Sequence, residues 1–298
     1  MRRVIVNYHY IRPTNSGGIH PCRIETFTEQ ISSLGASYSI VPLGEVVAAA
    51  KAHRPGNFCA LTFDDGLAEH YRVAYPLLLA AKIPATFFPL GLPLSEGRIP
   101  LPHKLHILLS ELSVDDLVRR LERFFPDAAP INRTTAMNPH RRFDDVLAAN
   151  LKETLIALPA AERERFLEAV FREVVSDEPR LAKEFFLSPD QLREMHASGM
   201  EIGSHTYSHS ALDRLPPALQ SEEIARGEEV VRSIIAHRPR AFAYPHGRYT
   251  AETLAILEDR GYGAAYLLGA REVGAADGRF EIPRFDSNDV PSLLTPSL

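Results

Sequence analysis

The sequence predicts an α/β fold, a closed or nearly closed seven-stranded (β/α) barrel that carries a large all-helical insertion. Short β-branched or aromatic runs alternate with segments of helical periodicity, which is typical of a parallel sheet with helices outside it. The composition agrees with this, because 45% of the 298 residues are hydrophobic and 24% are charged, as in globular proteins with a sizeable core. Seven strand-like runs with helical segments between them favour a barrel over an open sheet.

The predicted strands share a short length and a high content of β-branched or aromatic residues: Arg3–Tyr8, Phe58–Phe63, Ala85–Leu90, Glu201–Ser204, Ala241–Tyr244, Ala264–Leu268 and Phe280–Arg284. The predicted barrel helices carry apolar residues at helical spacing: Phe27–Leu34, Leu43–His53, Leu67–Lys82, Pro189–Ala197, Pro217–Ala236 and Thr250–Arg260.

The alternation of strands and helices breaks in the middle of the chain. Residues 91–187 contain only helical patterns, and both ends of this stretch fall between consecutive predicted strands. We therefore predict a barrel formed by residues 1–90 and 188–298, with residues 91–187 as a helical insertion within it. The insertion is expected either to cover a substrate groove or to provide a surface for homo-oligomer formation.

The charge and the distribution of apolar residues limit the possible partners. A net charge of −5 and a pI of about 6.2 give no field that would hold a polyanion, which argues against a nucleic-acid partner. The apolar run near the amino terminus is too short for a signal peptide, and no stretch approaches the ~20 apolar residues that span a bilayer. We predict a cytoplasmic protein with no transmembrane segment.

Two adjacent carboxylates, Asp64 and Asp65, follow a predicted strand and precede Gly66. In a (β/α) barrel the carboxyl ends of the strands collect the reactive groups. The same pattern also occurs where an Asp caps a helix, here one that begins near Leu67, so both interpretations stay open at this point.

Two histidines, His205 and His209, follow another predicted strand. A four-residue spacing predicts both imidazoles on one side of a helical turn, where they can share one metal ion. At the carboxyl ends of the strands these histidines would meet Asp64 and Asp65. Two imidazoles and one carboxylate are typical of a catalytic metal site with an open position, and the spare carboxylate suits a general base.

These two elements, Thr-Phe-Asp-Asp-Gly at residues 62–66 and Ser-His-Thr-x-x-His at residues 204–209, resemble the first two motifs of the polysaccharide deacetylase family. This family is also called carbohydrate esterase family four, or the nodulation-type chitooligosaccharide deacetylases. Residues 241–249 resemble its third motif, and the resemblance covers residues 1–90 and about 188–290. It implies a distorted (β/α) barrel. It also implies hydrolysis of an N-acetyl or similar acyl group on an amino sugar of a cell-surface polysaccharide or its precursor.

The resemblance also implies a cofactor and a role for each matched residue. One divalent metal ion, most often zinc, would be held by Asp65, His205 and His209, with Asp64 as the base for the attacking metal-bound water. The backbone amide of His246 would bind the oxyanion.

The sequence departs from the family pattern at two places. The Arg that often orients the base in the third motif is replaced by Ala243. Arg284 at the last predicted strand is our candidate for that role. The alternative is that Arg284 is a solvated arginine at a strand end with no role in the site. The late general-acid His is absent, because no His follows His246. We expect His9, at the end of the first strand, to act as the acid, with a hydrogen-bonded core histidine as the alternative. The His246 side chain is the second candidate.

Two other functions remain compatible with the sequence. The same barrel and ligands resemble a branch of the family that opens small cyclic or linear amides. The two departures also suit a non-catalytic member that binds saccharides or serves as a scaffold. Because the apolar run near the amino terminus is too short for a signal peptide, we expect the saccharide substrate to be a lipid-linked or nucleotide-linked precursor and not the finished polymer.

Overall fold

The computed structural model describes residues 1–15, 17–138 and 144–294. The strands within these ranges are β1 (Arg3–Tyr8), β2 (Ile11–Arg12), β3 (Cys22–Arg23), β4 (Ser39–Ile40), β5 (Phe58–Asp65), β6 (Thr86–Pro89), β7 (Glu201–Ile202), β8 (Ala241–Ala243), β9 (Ala264–Leu268) and β10 (Ile282–Asp286). The α-helices are α1 (Ile24–Ser37), α2 (Leu43–Lys51), α3 (Tyr75–Ala80), α4 (Gly91–Glu96), α5 (Leu101–Glu111), α6 (Val114–Phe124), α7 (Val146–Ala157), α8 (Ala160–Val174), α9 (Glu178–Phe185), α10 (Pro189–Ala197), α11 (Pro217–Ile235), α12 (Ala251–Asp259) and α13 (Val290–Leu294). Short 3₁₀ turns lie at Leu212–Arg214, Pro245–Gly247 and Ser287–Asp289.

Seven parallel strands form the barrel, in the order β7, β6, β5, β1, β10, β9, β8. A single parallel bridge between Ser204 and Phe242 joins the two ends of this order, so the sheet is nearly closed. The seven-stranded (β/α) barrel expected from the sequence is therefore confirmed.

Alternation along the strands decides which side chains enter the barrel. Phe88 of β6 and Tyr266 of β9 lie on strands that are not neighbours in the sheet, yet their rings are 6.0 Å apart, so they point into the interior. Ile5, Ala60 and Ile282 belong to the same buried cluster. Side chains two positions apart lie on the same face of a strand. Every second residue after Ile5, Ala60 and Ile282, up to the carboxyl ends of β1, β5 and β10, therefore also faces the interior.

The helix predicted over Leu67–Lys82 is interrupted. Residues His70–Ala74 form a π-helical turn, and α3 begins only at Tyr75, whose N–H donates to the carbonyl of His70. Pro76 has no N–H to donate back into the preceding turn, which accounts for the wider turn before it. The short strands β2, β3 and β4 and the helix α4 were not predicted, because elements this short carry no measurable periodicity.

The described chain divides into two compact units. One comprises Met1–Thr14, Pro21–Arg98 and Pro179–Leu298, and the other comprises Asn15–His20 and Ile99–Glu178. The second unit contains α5 to α8, and its buried Lys104 is paired with Glu168 at 2.6 Å and Glu178 at 3.0 Å. The domain boundaries at residues 90 and 188 stay a prediction. Among the described helices we find none with the length and apolar character needed to cross a bilayer.

Candidate active site

Asp64 of β5 is held in place by side chains from β1, the neighbouring strand in the barrel, and from β10, the strand beyond β1. Arg284 of β10 donates from Nη1 to Asp64 Oδ1 at 2.9 Å and from Nη2 to Oδ2 at 2.7 Å, and Asn7 of β1 donates from Nδ2 to Oδ2 at 3.0 Å. The Arg284 side chain is 0% exposed and that of Asp64 is 3% exposed. Arg284 therefore lies where the expected partner of the base should be, and it is not a solvated strand-end arginine.

This arrangement fixes the charge of Asp64. Burial on its own raises the pKa of the carboxyl group, but the Arg284 guanidinium, together with His205 and His9, outweighs burial and lowers the pKa to about 2. A planar guanidinium that donates two parallel hydrogen bonds is the strongest common partner of a carboxylate. Asp64 is thus ionised at neutral pH and has a fixed side-chain orientation.

Asn7 is a site residue that the sequence reasoning missed. Its Oδ1 accepts a hydrogen bond from Arg284 Nη1 at 3.0 Å and lies 2.9 Å from Thr62 Oγ1, while its Nδ2 donates to Asp64. The amide of Asn7 therefore links Asp64 to Arg284. The only signal in the sequence is an asparagine within a β-branched strand, where a buried polar residue is uncommon.

Asp65 ends β5 and turns away from Asp64. Asp65 and Gly66 both adopt left-handed backbone angles, with φ of 72° and 68°. A Cβ atom on Gly66 would lie 2.8 Å from Pro89 Cβ, so a glycine is required at this close approach as well as for the angle. The two neighbouring carboxylates consequently face different partners, and Asp65 faces the histidines.

Asp65, His205 and His209 form a compact set of possible metal ligands. One ligand atom from each lies within 4.8 Å of the others. Asp65 Oδ1 is 3.5 Å from His205 Nε2 and 3.2 Å from His209 Nε2, and the three side chains are buried. The structure thus brings together the three residues expected to bind the metal.

The hydrogen bonding of His205 tests whether a cation fits this set. His205 Nδ1 lies 2.8 Å from the carbonyl oxygen of Ala243, which can only accept, so Nδ1 carries the proton of the neutral ring. The Nε2 lone pair then faces the carboxylate of Asp65, and within the described part of the chain Nε2 forms no hydrogen bond. Two facing acceptors need a positive charge between them. The donor set of two nitrogens and one oxygen fits a divalent cation such as zinc.

The electrostatics of His205 lead to the same interpretation. Burial lowers the pKa of this imidazole, but the carboxylates of Asp64 and Asp65 outweigh burial and the net shift of the pKa is upward. Surplus negative charge in a buried site favours a bound cation, whether a proton or a metal ion.

The helical turn predicted for residues 205–209 is wrong. Ser204 is still extended and bridges to β8, and the following residues are irregular, with φ of 66° at both Thr206 and His209. The carbonyls of Thr206 and Tyr207 accept hydrogen bonds from the backbone N–H groups of Gly91 and Leu92, at 3.2 and 2.8 Å. These carbonyls are therefore engaged outside the loop and do not start a helix.

His9 also lies near Asp64. Its Nε2 is 4.0 Å from Asp64 Oδ2, and its side chain is 32% exposed. Its backbone carbonyl accepts a hydrogen bond from Nε2 of the buried His70 at 2.8 Å. Partial exposure does not suit a core histidine, and the structure places His9 beside the carboxylate that the sequence predicts as the base.

His246 lies beside the histidine pair. It has a left-handed backbone with φ of 58°, and its ring centroid is 4.6 Å from that of His209. The structure therefore brings the imidazole of His246 to the same end of the barrel, where the sequence predicted mainly a contribution from its backbone amide.

Comparisons with known proteins place this geometry in context. A family model described as polysaccharide deacetylase matches residues 51–122 and 143–265, which is more than half of the chain. The chain is 36% identical over 76 residues to YxkH of Bacillus subtilis (strain 168), covering 26% of this chain and 27% of that protein. It is 32% identical over 79 residues to the chitooligosaccharide deacetylase of Bradyrhizobium sp. (strain ANU 289), covering 26% of this chain and 36% of that protein. The matched segments thus span only 27% and 36% of these relatives' own length.

Solved structures extend the similarity of the fold to nearly the whole chain. The Streptococcus pyogenes deacetylase PplD in complex with acetate superposes with a TM-score of 0.63 at 17% identity, covering 99% of both chains. IcaB from Ammonifex degensii superposes with a TM-score of 0.61 at 20% identity, covering 98% of this chain and 94% of that one.

Proposed function

Because the chain belongs to the polysaccharide deacetylase family, we propose that it hydrolyses an N-acetyl or similar acyl group on an amino sugar. The observation that carries this proposal is the position of the Asp64–Arg284 pair directly beside the set of Asp65, His205 and His209. The reaction is hydrolysis of a carbon–nitrogen bond other than a peptide bond. We expect the substrate to be a cell-surface polysaccharide or its precursor, in line with the Bradyrhizobium relative named a chitooligosaccharide deacetylase.

The metal ligands in this proposal are Asp65, His205 and His209, with zinc as the expected ion. Such a cation supplies Lewis acidity to a carbonyl group and lowers the pKa of water. His205 is prepared for this role, since its Nδ1–H is engaged by the Ala243 carbonyl and its Nε2 is directed at Asp65. The other catalytic roles belong to three further residues of this chain, Asp64, His9 and His246.

Asp64 acts as the general base. It removes a proton from the attacking water while the water oxygen forms a bond to the acyl carbon. A base must be ionised and held in place, and the two hydrogen bonds from Arg284 meet both conditions. Asn7 prevents the carboxylate from rotating, because it bonds to Asp64 and Arg284 together.

His9 donates the proton that the leaving amine requires when the carbon–nitrogen bond breaks. Its position 4.0 Å from Asp64, with a partly exposed ring, suits a group that must reach the substrate nitrogen. The amide of His246 stabilises the oxygen on which negative charge develops. The products are a free amine on the sugar and a carboxylate such as acetate, the molecule named in the complex of PplD.

The non-catalytic alternative depends on the two departures from the family pattern. Arg284 supplies the cation that position 243 lacks, and His9 supplies an imidazole beside the base. Both observations favour an enzyme over a scaffold.

Acetate release with and without metal tests the proposal. The purified protein is incubated with N-acetylglucosamine oligosaccharides and, separately, with a cyclic amide, and acetate, free amine and ring-opened product are measured. We expect acetate and amine in equal amounts, loss of release after dipicolinate treatment, and recovery when Zn²⁺ is added. Release that persists after verified metal removal would disprove the metal role. Turnover of the cyclic amide alone would disprove the saccharide substrate.

A further inference from the structure

The loop of residues 205–210, which we call the histidine loop, forms hydrogen bonds with a residue of helix α11. The carboxylate of Glu223 on α11 accepts two hydrogen bonds from a single loop residue, Ser208. Glu223 Oε2 accepts from the backbone N–H at 2.9 Å, and Oε1 accepts from the hydroxyl group at 2.8 Å. Ser208 immediately precedes His209, so this contact lies one peptide unit from a proposed metal ligand.

These two bonds fix the backbone that carries His209. One carboxylate that holds both donors of Ser208 sets the orientation of the peptide before it and of its side chain. The N–H of His209 then donates to Thr206 Oγ1 at 3.2 Å. His209 itself has φ of 66°, a left-handed angle that is unfavourable for a non-glycine residue and persists only when its surroundings hold it.

Helix α11 packs closely against the histidine loop at a glycine, Gly227. Gly227 lies one helical turn after Glu223, on the same face. A Cβ atom at Gly227 would lie 2.5 Å from the carbonyl carbon and oxygen of Thr206, so only a glycine lets the helix come this close. Gly227 therefore allows the approach across which Glu223 reaches Ser208.

We propose that Glu223 is a positioning residue that sets the metal affinity of the site through Ser208 and His209. It is not itself one of the proposed metal ligands, and the inference rests on the proposed function with Asp65, His205 and His209 as those ligands. Partners that orient metal ligands typically change metal affinity by about 10- to 100-fold when they are removed. We therefore expect Glu223 to affect binding of the ion, beyond any effect on folding.

The test compares neighbouring glutamates on one helix. Glu222 is 57% exposed and pairs only loosely with Arg226, at 3.7 Å, so Glu222→Ala is the matched control. Zn²⁺ affinity is measured by competition with a chromophoric chelator, and the site geometry by the visible absorption of bound Co²⁺. We expect Glu223→Ala to weaken Zn²⁺ binding about 10- to 100-fold and to change the Co²⁺ spectrum. Glu223→Gln, which keeps one acceptor, should fall between, and Glu222→Ala should match the wild type.

Wild-type Zn²⁺ affinity and an unchanged Co²⁺ spectrum in Glu223→Ala would overturn the inference. A lower free energy of unfolding in the metal-free variant, without a change in affinity, would show a purely structural role and would overturn it equally. If Glu223→Ala does not fold, Ser208→Ala removes the hydroxyl bond but keeps the backbone one. Wild-type affinity in that variant also counts against the proposal.

The Asp65→Asn variant distinguishes a failure of the inference about Glu223 from a failure of the proposed function. If the wild type binds one Zn²⁺ and Asp65→Asn does not, the ligand assignment holds and only the role of Glu223 is in question. If the two proteins bind Zn²⁺ alike, the ligand assignment itself is wrong.

Discussion

The two sides of the candidate site are built in different ways. On one side Asn7, Asp64 and Arg284 lie on the strands β1, β5 and β10, and regular side-chain alternation directs all three into the barrel. On the other side His205 and His209 lie in the irregular histidine loop, which is held by hydrogen bonds with residues of α4 and α11. The proposed base, Asp64, is thus fixed by the sheet, and the histidines are fixed by elements outside it.

This difference separates two kinds of vulnerability. A substitution among the strand residues should disturb the proposed base and leave the proposed metal ligands in place. A substitution where the helices meet the histidine loop should disturb the proposed metal binding and leave the proposed base in place. Variants on each side therefore test whether the two functions are independent.

Arg284→Met should have the largest effect on the strand side. It leaves the Asp64 carboxylate buried without its cation, and breaking a buried ion pair in this way costs about 3–5 kcal/mol. We expect that loss in the free energy of unfolding by urea, and at least a ~10²-fold drop in acetate release. Arg284→Lys keeps the charge but loses the paired geometry, so it should be intermediate. A stable, active Arg284→Met protein would refute the role of Arg284.

Gly227→Ala should have the next largest effect, on the loop side. The added Cβ must displace the backbone of Thr206, and overpacking of this kind costs about 1–3 kcal/mol. We expect weaker Zn²⁺ binding, measured by chelator competition. Gly44→Ala in α2 is the control, because its Cβ would meet no atom within 4 Å. Equal Zn²⁺ affinity in the two variants would mean that the loop does not depend on α11.

Asn7→Ala should have a smaller effect on the strand side. It removes one donor to Asp64 and one acceptor for Arg284, while the direct pair of Asp64 and Arg284 remains. Because that pair still satisfies both groups, we expect a loss of about 0.5–1.5 kcal/mol in the free energy of unfolding and slower acetate release, with Zn²⁺ affinity unchanged. A variant that loses Zn²⁺ would show that the two sides of the site are coupled.

The sequence allowed the strand side of the site to be predicted well, with one omission. Asp64 and Asp65 stand out as a pair at a strand end, and Arg284 was predicted as a replacement for the missing motif arginine, which agrees with its position beside Asp64. Asn7 was missed because its role depends on which strands become neighbours, and β1 and β10 come together from opposite ends of the chain. No local pattern carries that information.

The loop side could be predicted only in part. The spacing of His205 and His209 identified the pair, but a helical turn was expected where Thr206 and His209 are left-handed. Non-glycine residues with positive φ have no clear signal in sequence, since tertiary contacts impose them. Glu223 was missed for a similar reason, because on an amphipathic helix it resembles any other polar residue. The fold was easier, as seven strand runs each extend over several residues of consistent pattern.

The division of roles between two adjacent carboxylates is tested most directly by measuring bound zinc and acetate release together in Asp64→Asn and Asp65→Asn. Asp64 faces Arg284, whereas Asp65 faces the two histidines. We predict that Asp64→Asn keeps about one equivalent of Zn²⁺ and loses acetate release by about 10²- to 10⁴-fold, the usual contribution of a general base. Asp65→Asn should lose both the metal and the activity. Loss of zinc from Asp64→Asn, or wild-type acetate release by either folded variant, would contradict this assignment.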